Sequence, residues 1–315
     1  MRFRLLFQRF IAALILLITG ANSAVAQEIV LTPLRLSEHV WIFQGASALG
    51  SRENRNFISN AGLIVGPEGV VLVDALGSPA AARAALVAIR KLTDKPLTHV
   101  ILTHYHADHV YGLQVFKAAG ATIVAHQLGR EYLFSATAAQ RLQASIEAGL
   151  VEPDTHLVPA DVWIDGETKL HVAGLDLLLL PVGPAHTRED VAIWLAADKL
   201  IFAGDLVFSH RVPYVGEADS AHWIASLDKL LIWPARIIVP GHGPASTEAQ
   251  ADLLQTRDYL AYLRATMGRA ARDMTDFDAA YAATDWSRFE ALPLFKAANR
   301  MNAYNTYLLM ESQEK

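Results

Sequence analysis

The sequence contains no cysteine among its 315 residues. Disulfide staples are therefore excluded, and so is a lipid anchor on an N-terminal cysteine; the fold must rest on its core, with bound metal as a further aid. Long apolar runs are scarce as well. The N-terminal one opens at Phe10 and Ile11 and continues to Ile18, well short of the roughly 20 residues that a spanning helix needs. Arg2, Arg4 and Arg9 precede it and Ala24-Val25-Ala26 follows. That is the pattern of a secretory signal peptide over residues 1–26, not of a retained membrane anchor. It places the mature chain in the periplasm or outside the cell, with no membrane attachment after cleavage. Basic charge is also in deficit, 27 Lys and Arg against 32 Asp and Glu. Cleavage after Ala26 removes three arginines and no acid, leaving 24 basic residues and a net charge of −8. A surplus of that sign argues against nucleic acid as a partner. No low-complexity linker divides the remainder, so 27–315 reads as one globular domain.

Hydrophobic residues make up 52% of the chain, ample for a sizeable core and incompatible with disorder as the main state. Apolar, β-rich runs come first, at 40–43, 62–65 and 70–73. The last two are joined by Gly66-Pro67-Glu68-Gly69, a hairpin signature. The period then changes. Ser78 can cap a helix with Pro79 in its first position, and 80–92 carries apolar residues at helical spacing. A strand at 98–102, a short helix at 110–119 ended by Gly120, and a strand at 122–125 follow. The second half repeats the alternation, with strands at 170–172, 175–181, 191–195, 200–202 and 237–239 and helices at 220–231 and 246–266. Between the halves, 127–150 reads as helix, and from about 270 to 314 the chain reads as a C-terminal helical extension. Strands and helices that alternate twice argue for α/β layers.

Seven of the twelve histidines, at positions 39, 99, 126, 156, 171, 210 and 222, stand apart from any cluster, and the structural or solvated reading suits each. The other five behave differently. His104 and His106 lie two apart behind the apolar run 98–102, so in an extended segment they project to one side and can chelate one ion. Asp108 and His109 come next, at an expected helix start, placed to reach a second ion nearby. Downstream, His186, Asp205 and His242 each follow a separate apolar strand. Delivering distant residues to one sheet edge is how a metal site is assembled, and a solvated loop that happens to hold three histidines would lack that company.

The ordered set H-x-H-x-D-H, then His, Asp and His, resembles the metallo-β-lactamase superfamily, over nearly all of 27–315. The resemblance implies a four-layer αββα sandwich with metals in a cleft at one edge of the paired sheets. It also implies that His104, His106 and His186 hold one zinc, that Asp108, His109 and His242 hold a second, and that Asp205 bridges them. Two Zn²⁺ per chain is thus the expected cofactor, with Fe or Mn compatible with the Asp bridge. Two close ions sharing one water lower its pKa toward neutrality, so a hydroxide nucleophile forms without a strong base. The implied chemistry is hydrolysis of an ester, thioester, lactone or related acyl bond in a small-molecule substrate. Asp205 stands where lactamases with a cysteine ligand have that cysteine, and position 109 is His where they usually have Arg. The pattern is more similar to glyoxalase II and related hydrolases. Three short stretches, Ser51-Arg52-Glu53-Asn54-Arg55-Asn56, Gly204-Asp205-Leu206-Val207-Phe208 with Arg211-Val212-Pro213 behind it, and Arg300-Met301-Asn302-Ala303-Tyr304, resemble the quinoprotein relay system zinc metallohydrolases. That likeness implies a periplasmic quinoprotein dehydrogenase as partner.

Other residues carry weaker signals. Asp74 ends the strand 70–73 and can either orient a ligand histidine or cap a turn. Asp108 and His210 are the catalytic candidates. His210 and Arg211 follow Asp205 closely enough to line the cleft, Arg211 as a holder of a substrate carboxylate or leaving group; an exposed loop pair is the alternative. Tyr105, between two ligands, should turn its ring away from them into the core. Arg52 and Arg55 could attract an anionic substrate or be simply solvated. Two further functions are compatible with the sequence, a β-lactamase and a non-catalytic accessory that binds metal, a cofactor or a dehydrogenase. The complete ligand set favours the enzyme.

Overall fold

Along each strand, successive side chains serve two different cores, and this alternation sets the architecture. The structure is a computed structural model that describes residues 29–313 except 217; the expected signal peptide, 1–26, lies outside the described residues. One sheet takes seven strands in chain order: β1 (Leu34–Arg35), β2 (Val40–Phe43), β3 (Ala61–Val65), β4 (Val70–Val73), β5 (Leu97–Ile101), β6 (Thr122–His126) and β7 (Val162–Ile164). Its first four strands are antiparallel and the rest join in parallel. The second sheet holds β8 (Thr168–Val172), β9 (Leu175–Pro181), β10 (Val191–Leu195), β11 (Leu200–Phe208) and β12 (Ile237–His242). Its strands pair antiparallel except β11 with β12.

Val71 and Val73 of β4 meet Val191, Ile193 and Leu195 of β10 in a core between the sheets. The alternate residues face outward. Val70 and Leu72 pack under α1 (Pro79–Leu92) and α3 (Leu113–Ala118). Ala192 and Trp194 pack under α6 (Ser220–Leu231) and α7 (Ala249–Arg272). Helices thus cover both outer faces, giving the four-layer αββα sandwich. In α1 the caps follow the sequence: the Ser78 side chain accepts from Ala81 N–H, Pro79 opens the helix, and Ala81, Ala82, Ala85 and Ile89 are buried.

Departures from the sequence reading have long-range causes. The helix expected at 110–119 is α2 (Ala107–Val110) followed by α3, because Gly112 N–H is drawn to Leu76 O at 3.1 Å. The stretch 127–150 divides into α4 (Gly129–Leu133) and α5 (Ala136–Glu147), the latter capped by Ser135. α7 begins at Ala249, since Ser246 instead exchanges backbone hydrogen bonds with Ile238 at 3.0 and 3.1 Å. The tail folds as α8 (Phe277–Ala283) and α9 (Phe295–Gln313), packed against α7. β11 continues to Phe208, so Asp205 lies within it and not behind it.

Phe202, 1% exposed in the inter-sheet core, tests the layering. Phe202→Ala should cost about 3–5 kcal/mol of stability, read from the urea unfolding midpoint, whereas Val87→Ala on the exposed side of α1 should stay within about 0.5 kcal/mol. Equal effects would contradict the layering.

Candidate metal centre

Four strand ends converge at one edge of the sandwich. Behind β5 the chain turns through 103–106 into α2, whose N-cap is His106 and whose first turn holds Asp108 and His109. His186 sits in the β9–β10 loop, which Asp190 closes by accepting from Thr187 N–H at 2.7 Å and Thr187 Oγ1 at 2.8 Å. In β11 the register slips on either side of Gly204, whose φ of 51° turns Asp205 toward the others. A Cβ at 204 would lie 2.7 Å from Thr103, so glycine meets both demands here. His242 ends β12, and the preceding Gly241 leaves the space that the Asp205 carboxylate fills. Val191 N–H donates to Thr103 O at 2.9 Å, tying the two sheets together at this edge.

The donors form two groups. His104, His106, His186 and Asp205 make one, Asp108, His109 and His242 the other, with ligand-capable atoms inside each lying within 4.8 Å of one another. Asp205 reaches both. Its Oδ2 lies 3.3 Å from His186 Nε2, 3.3 Å from His242 Nε2 and 3.9 Å from His104 Nε2, and its Oδ1 lies 3.1 Å from His109 Nε2. Asp108 Oδ2 lies 3.2 Å from His242 Nε2 and 3.7 Å from His109 Nε2. Tetrahedral zinc with bonds near 2.0–2.1 Å sets its donors roughly 3.3 Å apart, so these separations fit the ion. The buried atoms His104 Nε2, His109 Nε2 and Asp205 Oδ1, which face the cluster, have no hydrogen-bond partner, which is unusual for buried polar atoms unless a ligand takes them.

Groups behind the histidines decide which nitrogen faces inward. Asp74 Oδ2 accepts from His109 Nδ1 at 2.8 Å, and the same carboxylate accepts from Thr103 N–H and Thr103 Oγ1, both at 2.8 Å. Thr103 Oγ1 in turn accepts from His104 Nδ1 at 3.0 Å. His242 Nδ1 donates to Ile58 O at 2.8 Å, and Phe208 stacks on its ring with centroids 5.1 Å apart. Each of these bonds fixes a tautomer that leaves the Nε2 lone pair free.

The electrostatics point the same way. Burial, aided by neighbouring imidazoles, holds His104 well below the ordinary histidine range and pushes His106 down to about 3 and His186 to about 4. All three offer neutral lone pairs. For Asp205, burial opposes ionisation, but His242 and His109 outweigh it and keep the carboxyl well below its usual range; His109 and His242 do the same for Asp108. Burial also penalises a charge on His109, yet Asp205, Asp108 and Asp74 together raise it well above an ordinary histidine. Positive charge is favoured at this point.

Residues 54–242 match the metallo-beta-lactamase superfamily. The chain belongs to that superfamily. Relatives are enzymes that hydrolyse. The chain is 26% identical over 239 residues to a linear primary-alkylsulfatase from Pseudomonas sp., an alignment covering 64% of this chain but 45% of that one. It is 26% identical to a metallo-beta-lactamase type 2 from Bacillus sp., covering 72% of this chain and 80% of that one. In fold it is similar to a stereoselective inverting sec-alkylsulfatase from Pseudomonas sp., with a TM-score of 0.69 and 17% identity, covering 89% of this chain and 50% of that one. The chain thus spans about half the length of the alkylsulfatases it matches.

Four of the candidate donors, His106, Asp108, Asp205 and His242, line a cleft of about 230 Å³ together with Leu49, Ile58, Arg141, Arg211 and Tyr214. Arg211 is buried, its guanidinium 5.6 Å over the Phe208 ring and its Nε without a partner. His210 corrects the sequence expectation. With φ of 53° it turns outward, is exposed, and lines a separate cavity of about 440 Å³ that contains no member of the ligand set. Tyr105 turns away, as expected, and stacks on Trp163. Arg52 donates to Ala148 O at 2.8 Å, and neither it nor Arg55 lines the cleft. Sequence reasoning missed Thr103, Asp190 and Asn60, whose Nδ2 holds Pro240 O and Gly243 O, both at 2.8 Å, around His242.

Asp74→Asn keeps the size and tolerates the φ of 64° found there, but an amide nitrogen replaces one oxygen that Thr103 and His109 share. If the cluster holds metal as its geometry suggests, affinity for added zinc should fall about 10–100-fold in competition with a chromophoric chelator. An unchanged affinity would reduce Asp74 to a turn residue.

Proposed function

We propose that the chain is a dinuclear zinc hydrolase that opens an ester, thioester, lactone or related acyl bond in a small-molecule substrate carrying an anionic group. One observation carries the reading: two groups of nitrogen and oxygen donors meet on the single buried carboxylate of Asp205. His104, His106 and His186 would hold one ion with Asp205, and Asp108, His109 and His242 the other. When bound, zinc supplies Lewis acidity and lowers the pKa of the water it holds toward neutrality. Fe or Mn would suit an Asp bridge as well.

The chain's own residues supply position and orientation. Asp108, ionised and lining the cleft, can orient the attacking water by accepting a hydrogen bond from it. Arg211 can hold the anionic group. Among the described residues no carboxylate lies within 4 Å of it, and burial lowers its pKa from a value high enough that it stays charged. His242 Nδ1 is 3.3 Å from Arg211 Nη1 but already donates to Ile58 O, so it offers Arg211 no lone pair. The likeness to a linear primary-alkylsulfatase favours a second reading, a sulfate ester in place of the acyl bond, which Arg211 would suit equally well. The signal-like segment 1–26 supports export to the periplasm, and the stretches around Arg52, Arg211 and Asn302 support a link to a quinoprotein dehydrogenase.

Hydrolysis of thioesters, lactones, aryl esters, alkyl sulfates and a chromogenic cephalosporin by residues 27–315, metal-stripped and zinc-restored, tests the reading. Turnover of one bond class should vanish on stripping and return with zinc. Silence across the panel, with zinc bound, would favour the non-catalytic accessory, and turnover confined to the cephalosporin the lactamase. Asp205→Ala should lower bound zinc from about two ions per chain to about one and reduce turnover at least about 100-fold. Full activity in that variant would sink the shared-carboxylate assignment.

A further inference from the structure

The segment 211–216, between β11 and α6, has no regular structure of its own, yet it overlooks both donor groups. Arg211 Nη1 lies 3.3 Å from His242 Nδ1, and the Tyr214 ring sits edge-on to His186 with centroids 6.3 Å apart. Its backbone is fastened to the C-terminal layer. Val212 N–H donates to Pro293 O at 3.1 Å. Asn302 Nδ2 donates to Pro213 O at 2.7 Å, and Asn302 Oδ1 accepts from Val215 N–H at 3.0 Å. Asn305 Nδ2 donates to Gly216 O at 2.8 Å. Asn302 and Asn305 both belong to α9.

We propose that α9 sets the substrate-side wall of the metal cleft, with Asn302 as the positioning residue that holds Arg211 and Tyr214 in place. The proposal deepens the hydrolase reading and rests on it for the role of the anion.

Asn302 is 0% exposed, and an amide buried at that depth is costly unless its donors and acceptor are all matched. They are: the second Nδ2 hydrogen goes to Tyr259 Oη at 3.0 Å. Tyr259 Oη donates to Asn299 Oδ1 at 2.8 Å, and Asn299 Nδ2 donates to Tyr281 Oη at 3.1 Å. The wall is thereby linked to α7, α8 and α9 together. A loop without a ladder of its own belongs to the low-stability end of a structure. Clamping four of its backbone groups pre-organises the two side chains it presents, and pre-organisation of this kind raises affinity without adding a contact to the ligand. The clamp lies past residue 242, where the superfamily match ends.

Asn299 supplies the control, being equally buried on the same helix and in the same network but without a bond to 211–216. The zinc-loaded full chain is examined by amide hydrogen exchange and by calorimetric titration with octyl sulfate as the anionic probe. Asn302→Ala should speed exchange at Val212 and Val215 by about tenfold or more, with zinc content unchanged, and Asn299→Ala should not. Should Asn302→Ala fail to fold, Asn305→Ala removes one bond from a part-exposed position and should speed exchange in the segment about threefold. Octyl sulfate should bind about tenfold more weakly to Asn302→Ala and to Arg211→Ala than to the parent or to Asn299→Ala. Equal exchange in the Asn302 and Asn299 variants would overturn the positioning role. Absence of octyl sulfate binding to the parent would instead overturn the anion-holding role of Arg211, while the exchange data would still decide the clamp.

Discussion

A carboxylate buried among four imidazoles is the constraint from which the rest of the structure takes its form. Asp205 lies within 3.1–3.9 Å of His104, His109, His186 and His242, at a depth where an ionised group is tolerated only if its charge is answered. A close sheet edge is the way to bring four such partners to one oxygen pair. That is why β5, β9, β11 and β12 end or bend at the same place, and why Gly204 interrupts the register of β11. The field of Asp205, Asp108 and Asp74 favours a cation at His109, while His104, His106 and His186 are kept neutral by burial. Demand for positive charge and free lone pairs coexist in one place, which is the physical description of a metal site.

Holding the ligands is a separate task from supplying them, and the fold assigns it to other residues. Asp74 and Thr103 form one unit that orients His109 and His104 together. Val73 and Ile101 are register partners in the parallel pair β4–β5, which is what sets Asp74 beside the chain leaving β5. Asp74 accepts a left-handed backbone conformation to do this, a cost of about 1–3 kcal/mol typical of functional positions. On the other sheet, Asn60 grips the turn around His242 from the start of β3. His109 and His242 are thus fixed by groups distant in sequence, whereas His104 is held by its neighbour Thr103 and His186 by a loop that Asp190 closes on Thr187.

The seven donors were legible in the sequence because each is a costly polar residue directly behind an apolar run, a local signal. The longer strands of both sheets, β2 to β6 and β8 to β12, and the cap of α1 were legible for similar reasons of period and turn chemistry. What escaped depends on partners far along the chain. The break at Gly112 needs Leu76, the extension of β11 needs its pairing with β12, and β1 and β7 are too short to show a period. Asn60, Thr103 and Asp190 look like ordinary loop residues until their distant or folded-back partners are in place. His210 and Arg211 are the sharpest case. Adjacent in sequence, they were read alike, yet the positive φ at His210 sends one outward and leaves the other in the cleft.

Arg211 bears on what the cleft can accept. Beside Asp108 and Asp205 its charge is partly answered by the two ionised carboxylates and by the face of Phe208. The two divalent ions proposed for this site would reverse that balance, since four positive charges would then stand against the carboxylates of Asp108 and Asp205, and bound cations dominate the local field. A guanidinium next to a net positive centre, with its Nε already unpartnered, is stabilised by whatever brings negative charge into the remaining space of about 230 Å³. A neutral substrate would leave that charge unanswered. On the proposed reading, the same electrostatics that would draw metal to Asp205 would also select, one layer further out, for an anionic substrate, and the segment that carries Arg211 would be the part of the wall whose position decides how well that selection works.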